Sequence, residues 1–160
     1  MQESLEAESQ SPVVRPVTEA DLPALFVLAS LCFPQDAWSL DRLREDTQGP
    51  HAVGLVVEAG QALLGFVLAR LVLDELELHQ VAVHPSVRRL GYAQALLQAL
   101  RAQTLPSGMR VIFLEVRASN EPARRFYEKH GFQHMGVRRA YYSQPTEDAI
   151  LMSWRPPEAS

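Results

Sequence analysis

Apolar and polar positions along the chain follow two periods that alternate with each other. Val13-Val14-Arg15-Pro16-Val17 reads as a short first strand. Thr18, with Asp21 three residues on, is a helix N-cap signature, and Leu22, Leu25, Phe26 and Ala29 follow at helical spacing. Ser39 caps a second short helix running to Asp46. Three extended segments come next, at His51–Glu58, Leu63–Leu73 and Leu76–Val83. Gly60 and then Asp74-Glu75 mark the turns between them, as in an antiparallel meander. A leucine-rich helix spans about Gly91 to Thr104 and stops at Pro106-Ser107-Gly108. Arg110–Val116 is a strongly apolar strand, and Asn120–His130 a helix ended by Gly131. His134–Tyr142 and Asp148–Trp154 close the series as strands. The order is mixed α/β of the α+β kind, with one crossover that permits a parallel pair.

Composition sets bounds on this picture. A chain of 160 residues is long enough for one domain with a real core. Residues 1–12 are Ser/Glu-rich and end in Pro12, which fits a disordered lead-in; residues 13–154 form the expected domain, and 155–160 a frayed end. No apolar run approaches the ~20 residues of a membrane span, so no membrane association is expected. No basic patch precedes an apolar stretch at the N-terminus, so no secretory leader is expected either. The single cysteine, Cys32, permits no intrachain disulfide and suits a cytoplasmic setting.

Charge adds something the total conceals. The net formal charge is -4, but residues 84–139 carry nine arginines and Lys129 against three glutamates, a net of +7. Residues 13–83 carry four arginines against ten acids, a net of -6. A basic third within an acidic chain fits a localised anionic ligand; a nucleic-acid partner more often goes with an overall basic domain, so direct nucleic-acid binding is not expected.

Two stretches carry candidate chemistry. The first is Val81-Ala82-Val83-His84-Pro85-Ser86-Val87-Arg88-Arg89-Leu90-Gly91-Tyr92-Ala93, a strand, a basic loop and a helix start. Helix N-termini present free N–H groups and a favourable dipole to phosphates. Gly91 and the small Ala93 let a ligand approach the backbone, and Arg88 and Arg89 add charge-assisted hydrogen bonds. There is no Gly-Lys-Ser/Thr of a phosphate-binding loop and no three-glycine dinucleotide pattern. The second stretch is Leu114-Glu115-Val116-Arg117-Ala118-Ser119-Asn120, followed by Ala123-Arg124-Arg125-Phe126-Tyr127-Glu128-Lys129-His130-Gly131-Phe132. By strand alternation Glu115 shares a face with Val111 and Phe113, a setting suited to a general base. Tyr127 shares a helical stripe with Ala123, Phe126 and His130. Taken singly, a solvated Glu115 and a core Tyr127 are the simpler account of each. His130 and His134 are four apart, but Gly131 interrupts them and no third ligand stands at a telling spacing, so no metal site is expected.

The first stretch resembles the acetyl-CoA signature of the GCN5-related N-acetyltransferase (GNAT) superfamily, Gln/Arg-x-x-Gly-x-Gly/Ala, at Arg88, Gly91 and Ala93. Tyr92 is bulkier than the usual aliphatic residue there. The second stretch is similar to the RimI-type branch, ribosomal-protein alanine N-acetyltransferases, as are Phe33-Pro34 with Trp38-Ser39 and the closing Tyr141-Tyr142, Pro145, Glu147, Asp148, Ala149 and Met152. The Pro-to-Trp spacing is lengthened by Gln35-Asp36-Ala37. The resemblance spans nearly residues 13–154. It implies a mixed, mostly antiparallel sheet, splayed at the acetyl-CoA site and flanked by about four helices.

By the same resemblance, Val81, Ala82, Val83, Arg88, Arg89, Leu90, Gly91, Tyr92, Ala93 and Asn120 bind the cosubstrate acetyl-CoA, and no metal is needed. Glu115 acts as base and Tyr127 as acid, with a strand N–H near Val83 facing the developing oxyanion. Phe33, Trp38 and Tyr141 line the acceptor groove, and Tyr142 points to the opposite side of its strand. The implied acceptor is a protein N-terminal α-amine, in that branch on a small-subunit ribosomal protein. Asp74, Glu75 and Glu77 are candidates to attract a basic peptide. A free small amine as acceptor, and a non-catalytic acetyl-CoA-binding module, remain as alternatives.

Overall fold

In the computed structural model, which describes residues 11–36 and 38–157, seven strands form one sheet. They are β1 (Val13–Pro16), β2 (Ala52–Ala59), β3 (Ala62–Val72), β4 (Glu75–Val83), β5 (Val111–Arg117), β6 (Gln133–Tyr142) and β7 (Glu147–Trp154). Their order in the sheet is β1-β2-β3-β4-β5-β7-β6. Every neighbouring pair is antiparallel except β4 and β5. Four α-helices accompany them: α1 (Leu22–Cys32), α2 (Leu40–Gln48), α3 (Tyr92–Thr104) and α4 (Glu121–Lys129). The expected lead-in falls mostly on residues 1–10, and part of the expected C-terminal end on 158–160; both lie outside the described residues.

Local chemistry sets the element ends. Thr18 opens a 3-10 turn (Glu19–Asp21) that runs into α1, and the Asp21 carboxylate accepts its N–H at 2.8 Å. Ser39 Oγ accepts the Arg42 N–H at 3.1 Å and starts α2. The turn before β4 is Leu73-Asp74, with Leu73 at φ 57°, and Glu75 already belongs to the strand.

The sheet separates two apolar layers. On one face α3 and α4 pack Leu96, Leu97, Leu100 and Tyr127 against Leu76, Leu78, Ile112, Leu114 and Val116. On the other, α1 and α2 pack Leu22, Leu25 and Leu43 against Val56, Phe66, Leu68 and Ala82.

Leu78 and Ala82, on the same strand, thus belong to opposite layers. Strict alternation would put both on one face. The register explains the change: Leu68 lies opposite Gln80 while Ala69 lies opposite Leu78, so His79 is an extra residue, a β-bulge. Beyond the bulge every side chain of β4 is turned to the other face.

Parallel pairing of β4 with β5 covers Glu75–Glu77 against Val111–Phe113. The two strands then part, in agreement with the expected splay.

Candidate active site

A cleft of about 1150 Å³ occupies the region where β4 and β5 separate. Phe113, Glu115 and Arg117 line it from the α1/α2 face, and Leu114, Val116 and Tyr127 from the α3/α4 face. The opening therefore connects the two faces of the sheet, which paired strands elsewhere keep apart.

The backbone of β4 is oriented toward this gap in alternate residues. His84 N–H donates to the Leu64 carbonyl at 2.8 Å. Antiparallel alternation then commits Ala82 and Gln80 to β3 and turns the N–H and C=O groups of Val81 and Val83 to the β5 side. Ala82, named with them from the sequence, is instead buried against α1 and α2. The Val83 carbonyl accepts from the Cys32 thiol at 3.5 Å and from Arg88 Nε at 3.4 Å.

After β4 a short 3-10 turn (Pro85–Val87) leads to the start of α3. His84 Nδ1 accepts the Ser86 N–H at 3.1 Å and fixes this turn. Gly91 caps α3 at φ 86°, a left-handed conformation that favours glycine, and a Cβ there would meet nothing within 4 Å. Backbone shape rather than lack of space therefore accounts for this glycine. The first helical bond runs from Ala95 N–H to the Gly91 carbonyl, so the N–H groups of Tyr92, Ala93 and Gln94 lie ahead of it. Arg88, Arg89 and Leu90 are exposed around this helix start, while Tyr92 and Ala93 are half-buried.

Glu115 keeps 29% of its side chain exposed. It is not enclosed by apolar groups: Arg138 Nε lies 3.5 Å from Oε1, and Tyr141 lines the same cleft. The Glu115 carboxylate beside it, with burial, raises the Tyr141 pKa. Tyr127 is 8% exposed, and its ring packs edge-on against Phe126 and Phe132 at 5.4 and 5.3 Å between centroids. Burial pushes its phenol well above the ordinary range, and the neighbouring Tyr142 adds to this. Asn120 lines the cleft and caps α4, its Oδ1 accepting the Ala123 N–H at 3.3 Å.

Phe33, Trp38 and Tyr141 all line the cleft, as the sequence led one to expect. The Trp38 ring carries the Arg42 guanidinium at 3.9 Å on its face and meets the His79 ring edge-on at 5.8 Å. Glu75 and Glu77 reach the cleft beside Arg42 and Arg70, so its lining is mixed in sign. Asp74 is in the turn, and its carbonyl accepts the Arg110 N–H.

One expectation fails. Tyr142 does not point away from Tyr141: both line the cleft, with rings 5.1 Å apart. A register irregularity between Arg138 and Tyr142, with Ala140 at φ 52°, breaks the alternation of β6. Burial, together with the charges of Glu115 and Asp36, pushes the Tyr142 phenol up to about 12.

Sequence reasoning also passed over Asp36, His79, Arg117 and Arg138, all of which line the cleft. Arg117 was accessible to it, being two residues from Glu115 on the same strand face.

Known proteins share this fold and much of this sequence. The family model for the acetyltransferase (GNAT) family matches residues 22–132. The chain is 35% identical, over 86% of its length and 93% of the relative's, to the [ribosomal protein bS18]-alanine N-acetyltransferase of Salmonella typhimurium. It superposes with a TM-score of 0.85 and 30% identity on the crystal structure of the ribosomal-protein-S18-alanine N-acetyltransferase from Escherichia coli, covering 94% of this chain and 97% of that one. Arabidopsis thaliana NAA60 in complex with acetyl-CoA shares the fold at a TM-score of 0.82 and 20% identity, over 91% of this chain and 98% of that one. With a splayed sheet, a glycine-capped helix start and relatives matched over most of its length, the chain belongs to the GNAT family of N-acetyltransferases.

Proposed function

We propose that this enzyme transfers an acetyl group from acetyl-CoA to the N-terminal α-amine of a protein, with the N-terminal alanine of ribosomal protein bS18 as its acceptor. The observation that carries this is the placement of Glu115 and Tyr127 on opposite faces of the sheet, both lining the cleft where β4 and β5 separate. Relatives named for that acceptor, similar over nearly the whole chain, supply the substrate class.

The residues present fit acetyl-CoA. Free N–H groups at the α3 start, with Arg88 and Arg89 beside them, suit its pyrophosphate. The backbone of Val81 and Val83, turned to the gap, suits its amide-bearing arm. When bound, acetyl-CoA supplies a thioester carbonyl as the electrophile.

The chain's own groups handle the protons. An α-amine has a pKa of about 7.7–8.0 and is largely protonated near neutrality. The Glu115 carboxylate accepts that proton, directly or through water, and frees the nitrogen lone pair. The Val83 N–H stands as donor to the carbonyl oxygen as negative charge develops there. Tyr127, held protonated by its burial, gives its phenol proton to the departing thiolate. A lysine side chain, at about 10.4, is harder to deprotonate at the same pH.

The test is acetyl transfer from acetyl-CoA to a peptide beginning Ala-Arg, beside an N-blocked lysine peptide. Turnover on the free α-amine is expected, and Glu115→Gln is expected to lower kcat by about 10²–10⁴-fold. A wild-type enzyme that binds acetyl-CoA but acetylates only small amines would overturn the reading.

A further inference from the structure

The guanidinium of Arg117 is 9% exposed, yet every one of its five N–H donors is placed. Nε and Nη2 grip the Asp36 carboxylate bidentately at 2.8 and 2.7 Å. Nη1 donates to Glu147 Oε1 at 3.2 Å and to the Pro145 carbonyl at 3.1 Å, and Nη2 donates also to the Ser143 carbonyl at 3.0 Å. Its Cζ lies 4.5 Å from the centroid of the Tyr142 ring. Burying a cation costs a great deal unless its partners are complete, and here they are.

The partners come from two separate segments. Asp36 belongs to the α1–α2 connection, which carries Phe33 and Trp38 into the cleft. Ser143 and Pro145 belong to the β6–β7 connection, which follows Tyr141 and Tyr142. One side chain therefore ties together the two walls of the cleft. It does so from β5, two residues beyond Glu115 and on the same strand face.

We propose that Arg117 is a positioning residue for the acceptor: it holds both walls at a fixed distance from Glu115, and so places the incoming amine. This rests on the acceptor reading given above. The Arg117 guanidinium makes no contact with β4 or the α3 start, where acetyl-CoA is expected; the one tie to Asn120, whose N–H donates to the Arg117 carbonyl at 2.9 Å, is a main-chain bond that a side-chain substitution leaves in place. Loss of the guanidinium is therefore expected to affect the acceptor and spare the donor.

The test compares wild type with Asp36→Ala and Arg117→Lys. Asp36→Ala leaves Arg117 paired with Glu147 and two carbonyls, so its charge stays compensated. Displacing a positioning wall by about 1 Å can cost up to ~10²-fold; a rise of about tenfold in KM for the Ala-Arg peptide is expected, with KM for acetyl-CoA within about twofold. Arg117→Lys keeps the charge but cannot span both segments, and should shift the peptide KM in the same direction. An unchanged peptide KM in Asp36→Ala, or both KM values worsening together, overturns the proposal. Trp38 gives a readout independent of turnover. In a Trp154→Phe background, acrylamide quenching of Trp38 should rise in Asp36→Ala. Unchanged quenching overturns the bracket whatever the acceptor proves to be, whereas raised quenching with no turnover on the peptide overturns only the acceptor reading.

Discussion

At the residue scale, the protonation state of Tyr127 is decided by where α4 places it. Its ring belongs to the apolar layer with Leu114 and Val116, and burial keeps the phenol protonated well above the ordinary tyrosine range. A group so held carries its proton throughout the working pH range, but the same burial makes it a weaker acid than free tyrosine, so donation relies on the equally raised basicity of a thiolate released in the same desolvated cleft. Tyr127→Phe keeps the packing against Phe126 and Phe132 and removes only the donor. Its kcat should fall by about 10²-fold with KM for acetyl-CoA little changed. The basic limb of the wild-type profile should owe nothing to this phenol until pH rises far beyond the working range. A kcat within about twofold of wild type would remove Tyr127 from the mechanism.

At the element scale, α2 is held to β4 by a titratable pair. His79 Nδ1 lies 2.6 Å from Asp46 Oδ2, and Nε2 lies 3.3 Å from Glu77 Oε2. Burial opposes the charged imidazole, but Asp46 and then Glu77 outweigh it, and the net shift is upward. A histidine raised in the folded state contributes stability that is fully present below its unfolded value of about 6.5 and is lost as pH rises through the raised value. Thermal melts of wild type and Asp46→Asn should thus differ most below pH 6 and converge on the alkaline side. A difference independent of pH would show that the pair acts through packing alone.

The same strand shows how far sequence reaches. Every strand and helix expected from periodicity is present, because amphipathic spacing, Ser39, Gly91 and Gly131 are local signals. The gap between β4 and β5 was readable only through resemblance to a family. The bulge at His79 carried only a faint local mark, the polar pair His79-Gln80 that interrupts the apolar alternation of Leu76 and Leu78 before Val81, and the sequence reading passed over it. Misplacing Tyr142 has the same origin: a register break in β6 is decided by pairing with β7, not by residues 138–142 themselves. Asp36 and Arg117 are 81 residues apart, and no periodicity could pair them.

At the scale of the whole molecule, the uneven charge becomes a binding argument. The chain is acidic overall, yet residues 84–139 carry +7, and Arg88 and Arg89 from that stretch stand exposed where the first N–H groups of α3 are free. Long-range repulsion of a polyanion by a net charge of -4 is weak, because salt screens exposed charges beyond about 8 Å at physiological ionic strength. The local arginines therefore dominate. Acetyl-CoA at a hundredfold excess over its Kd should stabilise the fold by about 2.7 kcal/mol, roughly 5–10 °C in Tm for a chain of this size. Charge-assisted hydrogen bonds contribute about 1.5–3 kcal/mol each, so Arg88→Ala should weaken binding at least about tenfold and remove much of that shift. Raising the salt concentration should weaken wild-type binding more steeply than binding by the variant, because one fewer charge is then screened. Equal salt dependence, with an unchanged Tm shift, would move the phosphate contacts away from this helix start and leave the basic stretch as a solvated surface.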